Sequence, residues 1–416
     1  MERKQTKMRR RSHAWLLILA GLFLTALLLL LGVKQILKER TGNPVYREQE
    51  AGTEAEEELE AEKEDISRPI LQINTEEGAD TAGPGGRNPE EQAMDGEASG
   101  SRSVKLLFGG DIYLSDHVLN AWQRGGGLEG ILDDGFRQEI GQADIFMANQ
   151  EFPFSNRGTP ETDKQFTFRL PEDKVSVLQA IGPDIVALAN NHALDYGEEA
   201  LLDTCRVLDS AGIFHVGAGE DLDAAKKLEV IEAGGKKFGF LAASRVFPKG
   251  YWAAGEEHAG MLTAYDSTVL LEEIKKAKEI CDFLTVYVHW GIEKSTKPES
   301  YQRTLGQQYI DAGADLVIGS HPHVLQGIEY YKGKPIVYSL GNFIFGSSIP
   351  KTMLLSVTVP PEGEPSLSML PGTSSAGYTR TLTDEGERQA FYQYMEEISF
   401  DIAVDKDGTV IQTHSP

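Results

Sequence analysis

From residue 104 to about 340, short runs rich in Val, Ile, Leu and Phe alternate with longer segments whose apolar positions recur at helical spacing. The runs at 104–108, 144–148, 184–189, 214–216, 283–288 and 315–318 are expected as strands. Between them, 117–124, 132–140, 172–181, 197–211, 267–281 and 301–312 are expected as helices; in 267–281 the apolar set is Val269, Leu270, Ile274, Ala277 and Ile280. Strand, polar triplet and helix in repeated order predict a parallel α/β sheet. Two hairpins interrupt it, one over 228–243 turning at Gly234-Gly235 and one joining 327–331 to 336–340 across Lys332-Gly333-Lys334. Beyond residue 350 the pattern weakens to a strand at 353–359, a helix at 385–397 and a hairpin over Asp407-Gly408. Residues 351–416 are therefore expected as a C-terminal extension packed on a domain spanning 103–350.

The amino-terminal end has a different pattern. Residues 14–33 are uncharged and leucine-rich, and a helix of about 20 residues crosses a hydrocarbon core of roughly 30 Å. Arg3, Lys4, Lys7, Arg9, Arg10 and Arg11 precede it, which predicts a cytoplasmic tail at 1–13, one transmembrane helix, and everything after it outside the cell. Lys34 and Lys38 follow at once, where a cleaved signal would carry a small-residue cleavage site, so an uncleaved single-pass anchor in the cell membrane is expected. Residues 34–102 are rich in Glu, Ala, Gly and Ser and offer little to bury; they are expected as an acidic disordered tether.

Charge narrows the partners. With 40 basic and 64 acidic residues the 416-residue chain carries a net charge of -24, which excludes nucleic acid as a partner. Two cysteines, Cys205 and Cys281, cannot staple a chain of this length and are read as ordinary thiols, with a disulfide between them left open.

The candidate chemistry sits at strand ends. Residues 315–318 lead through Gly319 and Ser320 into His321-Pro322-His323, where the proline is expected to hold the chain extended and aim two imidazoles one way. Taken alone, this is equally a polar loop. Four other expected strands end in Asp111, Glu151, Asn191 with His192, and His289, and parallel strands bring their carboxyl ends together. Oxygen and imidazole donors in one pocket suit manganese, iron or zinc, as one ion or two. Arg169 is either a clamp for a carboxylate or phosphate or a brace for its loop. Trp290 is read as packing, His117, His215 and His258 as ordinary histidines, and Gly341-Asn342 as either pocket floor or turn.

Gly110-Asp111, Asn149-x-Glu151, Asn190-Asn191-His192, His289-Trp290-Gly291, Gly319-x-His321-Pro322-His323 and Ser339-Leu340-Gly341-Asn342-Phe343 resemble, in order and spacing, the CapA/PgsA-type capsule synthesis family. That family is associated with poly-gamma-glutamate capsules, and its fold is similar to calcineurin-like metallophosphoesterases. The resemblance implies a layered α/β sandwich in which Asp111 holds a first metal and Glu151 stands where a bridging aspartate would be. It implies Asn191, His289 and His321 on a second metal, His323 reaching back to the first, and His192 with Asn191 in a catalytic Asn-His pair. Tyr113 departs from the phosphoesterase pattern, which has a histidine there, so one first-metal ligand is missing or replaced.

Three functions follow from the resemblance. One is a membrane-anchored accessory protein of poly-gamma-glutamate or related polymer synthesis, export or anchoring, working with membrane subunits of a synthase or exporter and binding the anionic polymer. The second is a metal-dependent phosphoesterase or amide hydrolase at the cell surface. The third is a scaffold with a relic site.

Overall fold

The computed structural model describes residues 102–413. The expected tail, transmembrane helix and all of the tether but Arg102 lie outside these residues, and no helix within them is long and apolar enough to cross a membrane.

β1 (Val104–Ile112), β2 (Ile145–Gln150), β3 (Ile185–Ala187) and β4 (Phe214–Val216) pair in parallel as one half of a ten-stranded sheet. Their crossovers are α1 (Asp116–Gly125), α2 (Asp134–Gly141), α3 (Val175–Ile181) and α4 (Glu198–Ala211). Ser115 and Asp133 start α1 and α2 by accepting from the amides of Val118 and Phe136. A short ribbon of β5 (Ala218–Gly219) with β8 (Gly260–Met261) follows β4. The second sheet has six strands: β6 (Glu229–Ala233), β7 (Lys236–Ser244), β9 (Phe283–His289), β10 (Leu316–Ser320), β11 (Leu325–Tyr331) and β12 (Lys334–Leu340). Within it β7, β9, β10 and β12 are parallel, while β6 and β11 are antiparallel edges.

The two sheets stack face to face. Along β7, Phe238, Phe240 and Ala242 join the core between the sheets, and Leu241 and Ala243 face α5 (Thr268–Lys278) and α6 (Ser300–Ala312) through Leu270, Ile274, Tyr309 and Ile310. Burial on both faces explains why these strands read as continuous apolar runs. Each such Leu, Ile or Phe side chain contributes roughly 1.5–3 kcal/mol by leaving water. Across the gap, Tyr287 Oη donates to the carbonyl of Gly109 at 3.0 Å, tying β9 to β1.

Three expectations change. The fold is layered α/β as expected, but its strands divide between two mixed sheets and are not all parallel as the strand–helix order alone suggested, since strand pattern does not reveal which sheet a strand joins. Residues 351–416 are woven into the first sheet and are not an added layer: β14 (Ser348–Val359) pairs antiparallel with β1 from Val104↔Val359 to Phe108↔Leu355. Next to it lie β15 (Ser366–Ser375) with β16 (Tyr378–Thr381) and, past α7 (Glu385–Ile398), β17 (Ile402–Val404) and β18 (Thr409–Gln412). Finally, β1 runs on through Gly109-Gly110, because β13 (Asn342–Ile344) joins it in parallel with Asp111 opposite Asn342. Asp111 thus stands inside a strand and not after one. Both thiols are free, Cys281 buried and Cys205 half-buried.

Candidate metal centre

Two glycines let backbone segments approach closely at the site. A Cβ on Gly110 would lie 1.8 Å from the Gly341 carbonyl, so only glycine lets the Asp111 amide donate to that oxygen at 2.8 Å. A Cβ on Gly319 would lie 1.9 Å from the Tyr338 carbonyl and 2.4 Å from Trp290 Nε1. Trp290, packed as expected, donates from Nε1 to that same carbonyl. β10 therefore lies close on β12 and delivers His321 to the end of β1.

The site is built around Glu151, just past β2. Asp111 and Glu151 are fully buried, and Asn191, His192, His289 and His321 are nearly so. Asp111 Oδ2 lies 3.4 Å from His323 Nδ1, and Glu151 Oε1 lies 3.6 Å from His289 Nε2 and 3.9 Å from His323 Nε2. His289 Nε2 donates to Asn191 Oδ1 at 2.7 Å. Glu151, His321 and His323 each offer a ligand atom, and these lie within 4.8 Å of one another. All six residues expected as metal ligands thus come to one place, from both sheets.

The turn bearing the histidines is not extended. His321 has φ 96°, against the extended geometry expected before Pro322, and His323 has φ 56°. The chain leaves β10 sharply, with the His321 amide directed at Asp111 Oδ2 at 3.4 Å, and two non-glycine residues in the left-handed region mark a site held by its surroundings.

Burial governs the protonation states. Desolvation holds Glu151 well above the usual carboxylate range, and the neighbouring Asp111 raises it further. Burial pushes His321 down to about 4 and His289 well below its ordinary value, so both are neutral ligands-in-waiting. Burial also acts to lower His323, but Glu151 and Asp111 outweigh it and lift that imidazole to about 10. Glu293, raised by burial, is held below its ordinary value by His323, His321 and His192.

These residues fit a metal ion. Both Glu151 oxygens and His321 Nδ1 are buried without a hydrogen-bond partner, an arrangement that is costly unless a cation receives them. Nitrogen and oxygen ligands about 2.0–2.2 Å from one ion lie about 3–3.5 Å apart, close to the spacings seen here. Supporting contacts orient the set: Asn149 Nδ2 donates to Asp111 Oδ1 at 2.8 Å, Ser320 Oγ lies 3.0 Å from His289 Nδ1, and His323 Nδ1 lies 2.8 Å from Asn342 Oδ1. Asn342 therefore lines the pocket and does more than close a turn.

His192 has partners that the strand-end pattern does not reveal. Its Nδ1 donates to Asp195 Oδ2 at 2.6 Å, and Lys164 pairs with the other oxygen of Asp195 while donating to the Asn191 carbonyl at 2.5 Å. Nε2 is left as the nitrogen for a reacting group. Tyr113 stacks on Phe168 at 4.0 Å, and Phe168 stacks on His192 at 4.0 Å, so where an imidazole was expected the chain builds an aromatic wall. Arg169 turns away: it is exposed, donates to the Arg157 carbonyl at 2.8 Å and covers the Tyr196 ring at 4.0 Å, which makes it a loop brace. Sequence spacing could not have found Lys164, which arrives from an aperiodic loop, whereas Asp195, three residues after His192, lay within reach of a His-x-x-Asp reading.

Fold and site together define a two-sheet α/β protein with a buried His/Glu cluster suited to a divalent metal at the shared ends of its strands. Residues 105–347 match the family model described as bacterial capsule synthesis protein PGA_cap, and the chain belongs to that family. It is 30% identical over 308 residues to the capsule biosynthesis protein CapA of Bacillus anthracis, covering 71% of this chain and 73% of the relative. It is 34% identical over 252 residues to the PGA biosynthesis protein CapA of Bacillus subtilis (strain 168), covering 60% of this chain and 65% of the relative. Among solved structures, one described as a novel phosphatase from Mycoplasma pneumoniae aligns at 14% identity and a TM-score of 0.44, over 66% of this chain and 95% of that one.

Proposed function

We propose that this chain serves surface-polymer synthesis, export or anchoring as a membrane-anchored, extracytoplasmic protein of CapA type, and that its domain holds one or two ions of manganese, iron or zinc. The capsule role rests on family membership. Poly-gamma-glutamate or a related anionic polymer is the material handled, and membrane subunits of a synthase or exporter are its partners. The observation that carries the metal is Glu151, whose two buried oxygens lack hydrogen-bond partners among His289, His321 and His323. Asp111 and His323 would serve one ion, Asn191, His289 and His321 the other, with Glu151 between them. A bound ion would polarise an oxygen of the substrate or activate a water.

Two measurements test this reading. Full-length protein purified in detergent should retain a divalent transition metal after dialysis, and deletion in a host that makes gamma-linked glutamate should lower that polymer at the cell surface. Unchanged surface polymer would refute the capsule role, and metal at background level would refute the centre.

A second reading, hydrolysis of a phosphoester or an amide at the same centre, is favoured by the His192–Asp195 pair, which leaves Nε2 able to hand a proton to a leaving group. Turnover of a generic phosphodiester that His192→Ala leaves intact would exclude it.

A further inference from the structure

Arg245 follows the last residue of β7, and its amide donates to the carbonyl of His289 at 2.8 Å. Alternation along β7 turns its side chain to the helix side of the second sheet, while His289 faces the first sheet. There the guanidinium lies over two rings, Tyr265 at 4.5 Å and Tyr301 at 4.1 Å. Among the described residues it meets no carboxylate, and its Nε is buried without a hydrogen-bond partner. Among the described arginines Arg102, Arg137, Arg157, Arg206, Arg303 and Arg388 each pair with an acid, while Arg245, like Arg124, Arg169 and Arg380, does not.

The clamp adjoins the metal centre. Tyr301 Oη accepts from the Gly291 amide at 2.9 Å, and Gly291 lies so close on Pro322 that a Cβ would come within 2.9 Å of its ring. The same loop presents Lys294 and Lys297, both exposed and without an ion pair among the described residues, and the Lys294 amide is tied to the Pro322 carbonyl at 2.8 Å. With aromatic rings on its faces, a guanidinium is left with its N–H edge, which matches a planar carboxylate in two-point contact. Lys294 and Lys297 are on the loop of Gly291, which also carries Glu293 and Glu299, and two further cations there suit a ligand with repeated negative charge.

We propose that Arg245, held by Tyr265 and Tyr301, is an oxyanion subsite at the rim of the metal centre and takes a carboxylate of a polyanionic chain whose next charges meet Lys294 and Lys297. The inference rests on the polymer-handling role proposed above and assigns that role its contact. It also gives a strongly acidic protein a local contact for an anionic chain, through side chains that form no ion pair among the described residues.

Calorimetric titration of the full-length protein with a gamma-linked glutamate pentamer, and separately with inorganic phosphate, tests it. Arg245→Gln should weaken pentamer binding by about tenfold or more, the loss expected for hydrogen bonds to a charged group. Arg245→Lys, which keeps the charge and guards against misfolding as the cause, should lose less. Metal content should be unchanged in both. Equal affinity in wild type and Arg245→Gln, or no pentamer binding by the metal-loaded wild type, would overturn the subsite. Tighter Arg245-dependent binding of phosphate than of pentamer would overturn its assignment to carboxylate. Failure of the metal centre would instead show as absent metal in the wild type, a separate readout.

Discussion

Nε2 of His289 stands 2.7 Å from Oδ1 of Asn191, so the end of a strand in one sheet meets the loop after a strand in the other. Nε2 is the nitrogen through which His289 would hold an ion, and here it donates to Asn191. Ligation through Nε2 would move that proton to Nδ1, where Ser320 Oγ at 3.0 Å can accept it. The pocket is thus arranged for the change of tautomer that metal uptake requires.

Glu151 is the residue on which metal retention should depend most. Burial favours the neutral carboxyl, so at acidic pH Glu151→Gln is close to isosteric and isoelectric in the metal-free protein. Thermal stability of chelator-treated protein at that pH should change little, while metal affinity should fall at least about tenfold. Elemental analysis after dialysis, beside melting curves, checks both halves. A variant that keeps full metal content would remove Glu151 from the ligand set.

His323 gives the metal-free protein a pH dependence with a definite sign. Against burial, Glu151 and then Asp111, whose Oδ2 lies 3.4 Å from Nδ1, favour the charged ring, and the folded value is lifted from 6.5 to about 10. The stabilisation is fully present below about 6.5 and is lost as pH rises through about 10. Melting temperature of chelator-treated protein should therefore fall across that window, and His323→Asn should flatten the fall. Metal binding competes with the same proton, so uptake near neutral pH should release protons into a weakly buffered solution.

Most of the site was legible because its residues follow apolar runs, and a parallel sheet converts that position in sequence into convergence in space. Glu151, His289 and His321 are of this kind. What remained hidden depends on contacts that no local pattern encodes. Lys164 lies in a loop without periodicity and is directed inward by Asp195 and the Asn191 carbonyl. β15 was unreadable because Pro371 and Gly372 break its strand pattern, although its neighbour β14 covers them at Met353 and Thr352. The geometry of His321 inverted the expectation drawn from Pro322, since the close approach of β1 overrides the preference of an X-Pro pair.

The glycines at these close backbone approaches should be intolerant in a way that ordinary glycines are not. Gly319→Ala places a methyl 1.9 Å from the Tyr338 carbonyl and should cost about 3 kcal/mol, the upper end for overpacking, with loss of metal as the strand end shifts. Gly110→Ala, 1.8 Å from the Gly341 carbonyl, should behave alike. Gly141 ends α2 with nothing within 4 Å of an added Cβ, and its alanine variant should be neutral or more stable by up to about 1 kcal/mol. Denaturant unfolding of the three variants ranks them, and a Gly319→Ala protein as stable as Gly141→Ala would contradict the packing argument.

Lys164 and Asp195 form a buried pair beside His192, with Lys164 side-chain exposure of 11% and Asp195 of 0%. Removing one partner leaves the other charge without its counterion in a desolvated place. Lys164→Met should therefore destabilise the protein by about 3–5 kcal/mol, while Lys164→Met with Asp195→Asn should recover much of the loss, because neither charge then remains buried. The pair also bears on His192: with Lys164 gone, Asp195 still accepts from Nδ1, so nitrogen chemical shifts should keep the Nδ1–H tautomer. In Asp195→Asn alone that preference should weaken. Tautomer loss in the lysine variant but not in the asparagine variant would reverse the roles assigned here, and would make Lys164, not Asp195, the residue that fixes the ring.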